Sequence, residues 1–481
     1  MTRTAGLGNR MPTINYDDVQ GAILRGYRVD LARHFILTIH NPAVAGKLLA
    51  DLVDGVDGLP KVTSAQRITP KPEYFFNICF TCSGLAKMGL SAAQLASFDP
   101  AFQLGADNAV TANAVGDIGE SAPANWVGGL GKGEQVHVLF SLWISKSPQV
   151  LAELSARLRA AFADSMTELY AQDAVALPDN KIHFGFRDSI AQPTVIGAPP
   201  GKHPSADDQA PVATGEFLLG YANQSGGVYA VLPVELATNS SYAAFRILEQ
   251  DVAGFNALLA RHAEQAGMDT EKLAAKICGR WRNGNPLELA PDAQGEVLPV
   301  ARLNKFSYVN SDPALDDTLG LKCPIGSHIR RNNPRDAAVV GTDSSHHRIV
   351  RRAMPYGGPE YDPARPDNIP RGLAGYFINA SLRNQFEFLT SQWSGRADFV
   401  KAATDSNGNA DGNAVFNISG QDGFLGVNAP AGSSFTLAAL GKGGVNNTVL
   451  QGFGRTITTR GGVYGFFPSI SGLRYLAGLS K

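Results

Sequence analysis

A single histidine, His328, sits between the small-residue turn Pro324-Ile325-Gly326-Ser327 and three arginines, Arg330, Arg331 and Arg335. An imidazole with cations close behind it suits a haem site, where a ring nitrogen binds iron and guanidinium groups meet the propionates. The same residues also read as a hydrogen-bonded structural histidine ahead of a solvated basic face. A second stretch, His183 to Pro193, holds Asp188 in the Gly-flanked, aromatic segment Phe184-Gly185-Phe186-Arg187-Asp188-Ser189. Partial burial there would raise a carboxyl pKa toward acid–base work. An Asp closing a turn is the other use of such a residue. A third stretch, His347 to Gly357, carries Arg348, Arg351 and Arg352 inside an otherwise apolar, strand-like run, where an unpaired charge would be costly.

The elements that must position these residues alternate strand and helix. Val136, Val138, Phe140 and Leu142 repeat at the spacing of a strand over Gln135 to Ile144. Ser147-Pro148 then supplies an N-cap and a first-turn proline, and Val150, Leu151, Leu154, Leu158 and Phe162 follow at helical spacing. Tyr242 to Phe245 leads in the same way into an amphipathic stretch around Phe255, Leu258 and Leu259. Gly375 to Ala380 reads as a strand and Gln385 to Trp393 as the opening of a helix. The pattern predicts an α+β fold with mostly antiparallel sheets. Ala101 to Gly133 and Asp405 to Asn447 read as long loops, and Ile196 to Gly215, with Pro199-Pro200, as the junction between two domains.

Composition narrows the classes. The 481 residues carry 42 Lys+Arg against 43 Asp+Glu, which excludes a generally basic nucleic-acid binder. No stretch approaches the roughly 20 apolar residues of a membrane span, and a cytoplasmic location is the expectation. Cys79 and Cys82 have C-x-x-C spacing at the end of an apolar run, with no second pair to complete a metal site, and read as thiols at a strand end. The Gly-Lys pairs at 46–47, 131–132, 201–202 and 441–442 lack the Ser/Thr of a phosphate loop. Gly129 to Gly133 lacks dinucleotide spacing, and the chain has no His-Glu-x-x-His helix.

Taken together, the three arginine- and aspartate-bearing stretches resemble the dye-decolourising (DyP-type) peroxidase family of haem enzymes. The family's Gly-x-x-Asp-Gly motif looks like Gly185 to Ser189, with Ser where the motif ends in Gly. Its His-Ile-Arg-Arg-x-Asn-Pro-Arg segment matches His328 to Arg335, and its arginine-rich strand ending in Pro-Tyr-Gly matches Arg348 to Gly357. The likeness extends from Asp18-Val19-Gln20-Gly21 to Gly461-Gly462-Val463-Tyr464-Gly465-Phe466-Phe467-Pro468. Where the family places a Leu and, two residues on, a Phe over the distal face, Leu373 fits and Gly375 takes the aromatic position.

The resemblance implies haem b (iron protoporphyrin IX) in a chain of two ferredoxin-like domains. Residues 1–212 would carry the Asp188 motif, and residues 213–481 would hold most of the haem. It implies His328 as the iron ligand, with Arg330, Arg331, Leu373 and Gly375 as further cofactor contacts. Asp188 would be the acid–base residue and Arg351 the charge stabiliser. Hydrogen peroxide would be the oxidant, and small organic donors such as dyes and phenolics would be oxidised one electron at a time through a ferryl species. Trp126, Trp143, Trp281 and Trp393 are candidate relays for donors too bulky to enter, with core packing as their other role. Glu387 and Asp398 are the expected partners of His328 on its far side. A haem carrier, an iron-releasing haem-processing protein and a cofactor-free α+β protein are the competing readings, and the presence of both Asp188 and Arg351 argues against the carrier.

Overall fold

The computed structural model describes residues 13–199, 209–335, 343–396, 420–428, 433–441 and 444–479. Its first half runs β1 (Leu31–Ile39), α1 (Pro42–Asp54), β2 (Tyr74–Phe80), β3 (Val138–Ile144), α2 (Pro148–Phe162) and β4 (Met166–Val175). The second half runs β5 (Ser241–Gln250), α3 (Val252–Ala266), α4 (Thr270–Cys278), α5 (His328–Asn332), β6 (Val350–Tyr356) and β7 (Gly372–Asn379). It ends with the hairpin β8 (Ser434–Gly441) and β9 (Gly444–Gln451), then β10 (Ile457–Phe467) and α6 (Ile470–Leu479).

Local sequence accounts for the helix starts. Ser147 accepts a hydrogen bond from the Val150 amide with Pro148 in the first turn, and Asn41 and Asp251 cap α1 and α3 in the same way. The alternation expected for β3 is only half of its burial, since all seven residues are buried. The strand lies between β1 and β2 with cover on both faces, so neither face is left for polar side chains. Ala101 to Gly133 is more structured than a loop: short helices at Pro100–Leu104 and Ala109–Val115 are capped by Asp99 and Asn108. Of Asp405 to Asn447, the structure describes 420–428 and most of the hairpin, and 405–419 lies outside the described residues. Residues 200–208 of the expected junction lie outside them too. All four cysteines are free thiols, with Cys79 buried in β2 and Cys82 at the helix start that follows.

Eight strands form one antiparallel sheet in the order β4-β1-β3-β2-β10-β5-β7-β6. Taken separately, each half has the same order: its own fourth strand, then first, third and second, the ferredoxin-like arrangement. The halves join where Phe80 of β2 pairs with Phe466 of β10. The outer strands β4 and β6 also come together, so the sheet curls toward a barrel. Inside it, His34 of β1, Ser141 of β3 and Tyr376 of β7 form a buried hydrogen-bonded chain, each link 2.8 Å. A separate core of Phe184, Phe186, Phe255, Phe424, Leu273 and Ile277 packs below α3 and α4. Phe184 and Phe186 flank Gly185 (φ +82°), so this core anchors the loop that carries Asp188. Among the described residues, no helix is long and apolar enough to cross a membrane.

Candidate active site

His328 opens α5, a short helix following Ser327. Its Nδ1 donates to Asp422 Oδ2 at 2.8 Å, and Asp422 is fully buried. Asp422 Oδ1 accepts from the amides of Phe424 (2.8 Å) and Leu425 (3.0 Å), while Asn332 Nδ2 donates to Oδ2 at 3.1 Å. Burial pushes the Asp422 carboxyl up, but His328 beside it and these amides outweigh burial and hold it below the usual carboxylate range. Asp422 is therefore a carboxylate that fixes the proton on Nδ1 and leaves the lone pair of Nε2 for a ligand. Phe424, 5.4 Å from the imidazole centroid to centroid, packs against its side.

His328 borders a cavity of about 1240 Å³, its open mouth included. One wall is sheet: Arg246 and Leu248 of β5, Arg351 of β6, Phe377 of β7, and Ile457 and Thr459 of β10. Another is α5 with Leu425 and Gly426, and a third is Phe386, Leu389 and Thr390 from the wide, underwound helical segment 382–394. Six arginines line it (246, 280, 335, 348, 351 and 455) against one carboxylate, Asp117, so the cavity attracts anions.

Arg351 Nη2 donates to Ala191 O at 2.7 Å and stands 3.8 Å from Asp188 Oδ1. Its backbone is clamped on both sides by Gln192, whose Oε1 accepts from Arg351 N (3.1 Å) and whose Nε2 donates to Arg351 O (3.2 Å). Asp188 is half-buried and lies beside Arg351 but outside the residues that line the cavity. Ser189 adopts φ +61°, so the chain makes the left-handed turn even with a side chain there.

Several expected site residues lie elsewhere. Arg330 and Arg331 are fully buried and absent from the cavity wall. Arg330 pairs with Asp317 (3.0 Å), donates to Cys323 O and Asp317 O, and lies over the Tyr308 ring at 4.2 Å. Arg331 donates to the carbonyls of Trp393, Arg396 and Gly420, and burial lowers its pKa to about 10. Both side chains are thus engaged inside the protein and not on the wall of the cavity that His328 borders. Arg330, two residues along the helix, turns to the opposite side from His328, whereas Asn332, four residues on, shares its face. Arg331 is instead drawn into the backbone carbonyls of Trp393, Arg396 and Gly420. Leu373 and Gly375 are also absent from the wall, although Phe377 is part of it. At Gly375 (φ +152°) a Cβ would lie 2.2 Å from Arg352 O and 2.4 Å from Ala353 Cα. The space beside this glycine holds strand β6, not an opening over the cavity.

The partner of His328 is Asp422 and not Glu387, whose Oε1 instead accepts from the Tyr464 hydroxyl (3.1 Å). Asp398 lies outside the described residues. Asp422 reads in sequence as a turn residue, Gln421-Asp422-Gly423, and nothing local marks it as a histidine partner. Arg246 had a usable signal, a lone charge inside the apolar run Tyr242 to Leu248.

Comparison with known proteins bears on this arrangement. Residues 18–178 match the family described as the DyP dimeric alpha+beta barrel domain. A dye-decolourising peroxidase of Mycetinis scorodonius is 29% identical over 487 residues, covering 96% of this chain and 87% of the relative. The crystal structure of a fungal DyP-type peroxidase from Auricularia auricula-judae superposes with a TM-score of 0.78 at 26% identity, covering 98% of this chain and all of the other. The chain is similar along nearly its whole length to dye-decolourising peroxidases. Its α+β architecture is theirs, and it is a peroxidase of that kind. A dye-decolourising peroxidase solved in complex with 2,6-dimethoxyphenol is similar to the same degree, with a TM-score of 0.78 at 26% identity over 97% of this chain and 100% of that one.

Proposed function

We propose that the cavity holds haem b, with His328 Nε2 on the iron, and that the enzyme uses hydrogen peroxide to oxidise small organic donors such as phenolics and dyes. The observation that carries this reading is the His328–Asp422 pair facing a large, apolar, arginine-lined cavity. The donor set fits the group: one anchored imidazole, apolar side chains for the macrocycle, and cations for its two propionates. Arg335 and Arg348, on the wall near α5, replace Arg330 and Arg331 as the arginines suited to the propionates. When bound, the haem supplies the redox chemistry that accepts oxidising equivalents from peroxide and passes them to donors.

Asp422 holds the proton on His328 Nδ1 and makes the imidazole a stronger electron donor through Nε2. Asp188, beside Arg351, takes a proton from hydrogen peroxide at a carboxylate oxygen and returns it to the departing oxygen. Arg351, fixed by Ala191 and Gln192, presents its guanidinium to the negative charge that develops as the O–O bond breaks. Asp188 lies off the cavity wall, so this role requires its side chain to turn inward past Arg351. The same reading divides the chain at 212/213, with Asp188 in the first part and His328 and Arg351 in the second.

Absorption spectra test the assignment. His328→Ala should purify folded with little haem, whereas full haem occupancy and an unchanged spectrum would remove His328 from the iron. Asp188→Asn should keep haem and slow its stopped-flow reaction with peroxide about 10²–10⁴-fold. A rate within threefold of wild type would remove Asp188 from proton transfer.

A further inference from the structure

Arg246, Asp117, Thr459, Ser121 and Arg455 form one region of the cavity wall that the chemistry above does not use. Arg246 rises from β5 with only 6% of its side chain exposed. Its Nη2 donates to both oxygens of Asp117, at 2.5 and 2.7 Å, and to Thr459 Oγ1 at 3.0 Å. The Thr459 amide donates to Ser121 Oγ at 2.9 Å, and Arg455 Nη1 donates to that same oxygen. Asp117, the one carboxylate lining this region, pairs with Arg246. Arg455 donates to Ser121 and to the carbonyls of Gly116 and Ile118, so no carboxylate among the described residues is hydrogen-bonded to its charge. Nη1 of Arg246 is buried with no acceptor among the described residues. It lies over Gly462, where a Cβ would come within 2.8 Å. The guanidinium carbon is 5.7 Å from the ring centres of both Trp126 and Phe386. Its cross-strand neighbour on β7 is Gly375, which covers it with no side chain. A buried N–H without an acceptor is expensive, and in a cavity wall it points to an acceptor supplied by a ligand.

We propose that this end of the cavity binds a carboxylate, with Arg246 as its anchor and Arg455 supplying the unbalanced charge. The proposal rests on reading the cavity as the peroxidase site. Leu248, Phe377 and Ile457 add apolar surface beside it, so the ligand class is a small organic acid with an apolar body. Two sources carry this chemistry, an acidic electron donor and a propionate of the cofactor.

The test titrates the haem-loaded protein with benzoate, and with neutral benzamide as control, by absorption difference spectra and calorimetry. A donor site predicts that benzoate binds at least about tenfold tighter than benzamide, the factor expected of one charge-assisted hydrogen bond. Asp117→Asn removes the competing carboxylate and should tighten benzoate. Asp117→Asn with Arg246→Gln removes one charge of each sign, avoids a stranded buried ion, and should weaken benzoate by about tenfold or more. A propionate site predicts instead that benzoate does not bind, while the double variant purifies with less haem and loses it faster to an acceptor protein. Either pattern places a carboxylate at Arg246 and identifies its source. A folded double variant with unchanged benzoate affinity and unchanged haem retention overturns the proposal. A wild-type chain that takes up no haem would overturn the proposed function instead, and its benzoate titration would still report on Arg246.

Discussion

At the scale of single residues, the site turns on groups whose neighbours are distant in sequence. His328 was legible because a histidine among small residues and arginines is an unusual local pattern. Asp422 was not, because its 94-residue separation from His328 is closed only by the tertiary fold. Its carboxylate should govern how strongly the imidazole donates. In the haem-loaded protein, Asp422→Asn should raise the iron reduction potential and lower peroxide reactivity about 10–100-fold. A potential equal to wild type, read by spectroelectrochemical titration, would show that Asp422 only positions the ring. Ser189 carries a different prediction. A serine at φ +61° stores about 1–3 kcal/mol of backbone strain, and glycine relieves it while losing about 0.5–1 kcal/mol to chain entropy. Ser189→Gly should therefore leave stability no lower and raise it by up to about 2.5 kcal/mol. A urea midpoint that falls would contradict this account.

At the scale of elements, strand periodicity placed Leu373, Gly375 and Phe377 on one face, and the cross-strand pairs agree. Gly375 pairs with Arg246 and Ala353, and Phe377 with Arg351, so cavity residues share that face. Periodicity could not show how closely β6 approaches β7 at Gly375. That approach makes Gly375→Phe a steric problem rather than a way to narrow the cavity. A Cβ meeting Arg352 O and Ala353 Cα would push on the strand that carries Arg351. The variant should lose at least about 1–3 kcal/mol of stability, and Gly375→Ala should lose some too, since the backbone there favours glycine. A Gly375→Phe protein with the wild-type urea midpoint would mean that β6 can move aside freely. Helix geometry bears on the two arginines in the same terms. Arg330, two residues past His328, turns to the far side of α5 and meets Asp317, while Arg331 is held by backbone carbonyls that only the tertiary fold brings there.

For the whole molecule, the α+β class and its two similar halves follow from local patterns, but their joining does not. The seam at Phe80–Phe466 and the closure of β4 on β6 depend on strand edges meeting across hundreds of residues. Closure also buries His34, and burial lowers its pKa to about 3. The unfolded chain then binds a proton between about pH 6.5 and 3 that the folded barrel refuses. Stability should fall as pH drops through that window, by up to about 1.4 kcal/mol per pH unit from this group. Glu288 acts in the opposite sense. Burial, reinforced by Asp317, raises its carboxyl pKa, so the folded state keeps a proton that the unfolded chain releases. Its contribution is present below the ordinary carboxyl range and is lost as pH rises above it. Between about pH 4.5 and 6.5 the two groups oppose each other, so together they give a dome of stability centred there. Urea midpoints measured across pH separate the limbs. His34→Gln should flatten the acid limb and leave the alkaline one, and Glu288→Gln should do the reverse. An acid limb of unchanged slope in His34→Gln would mean that the barrel admits a charged histidine, and that its buried His34–Ser141–Tyr376 chain is open to water.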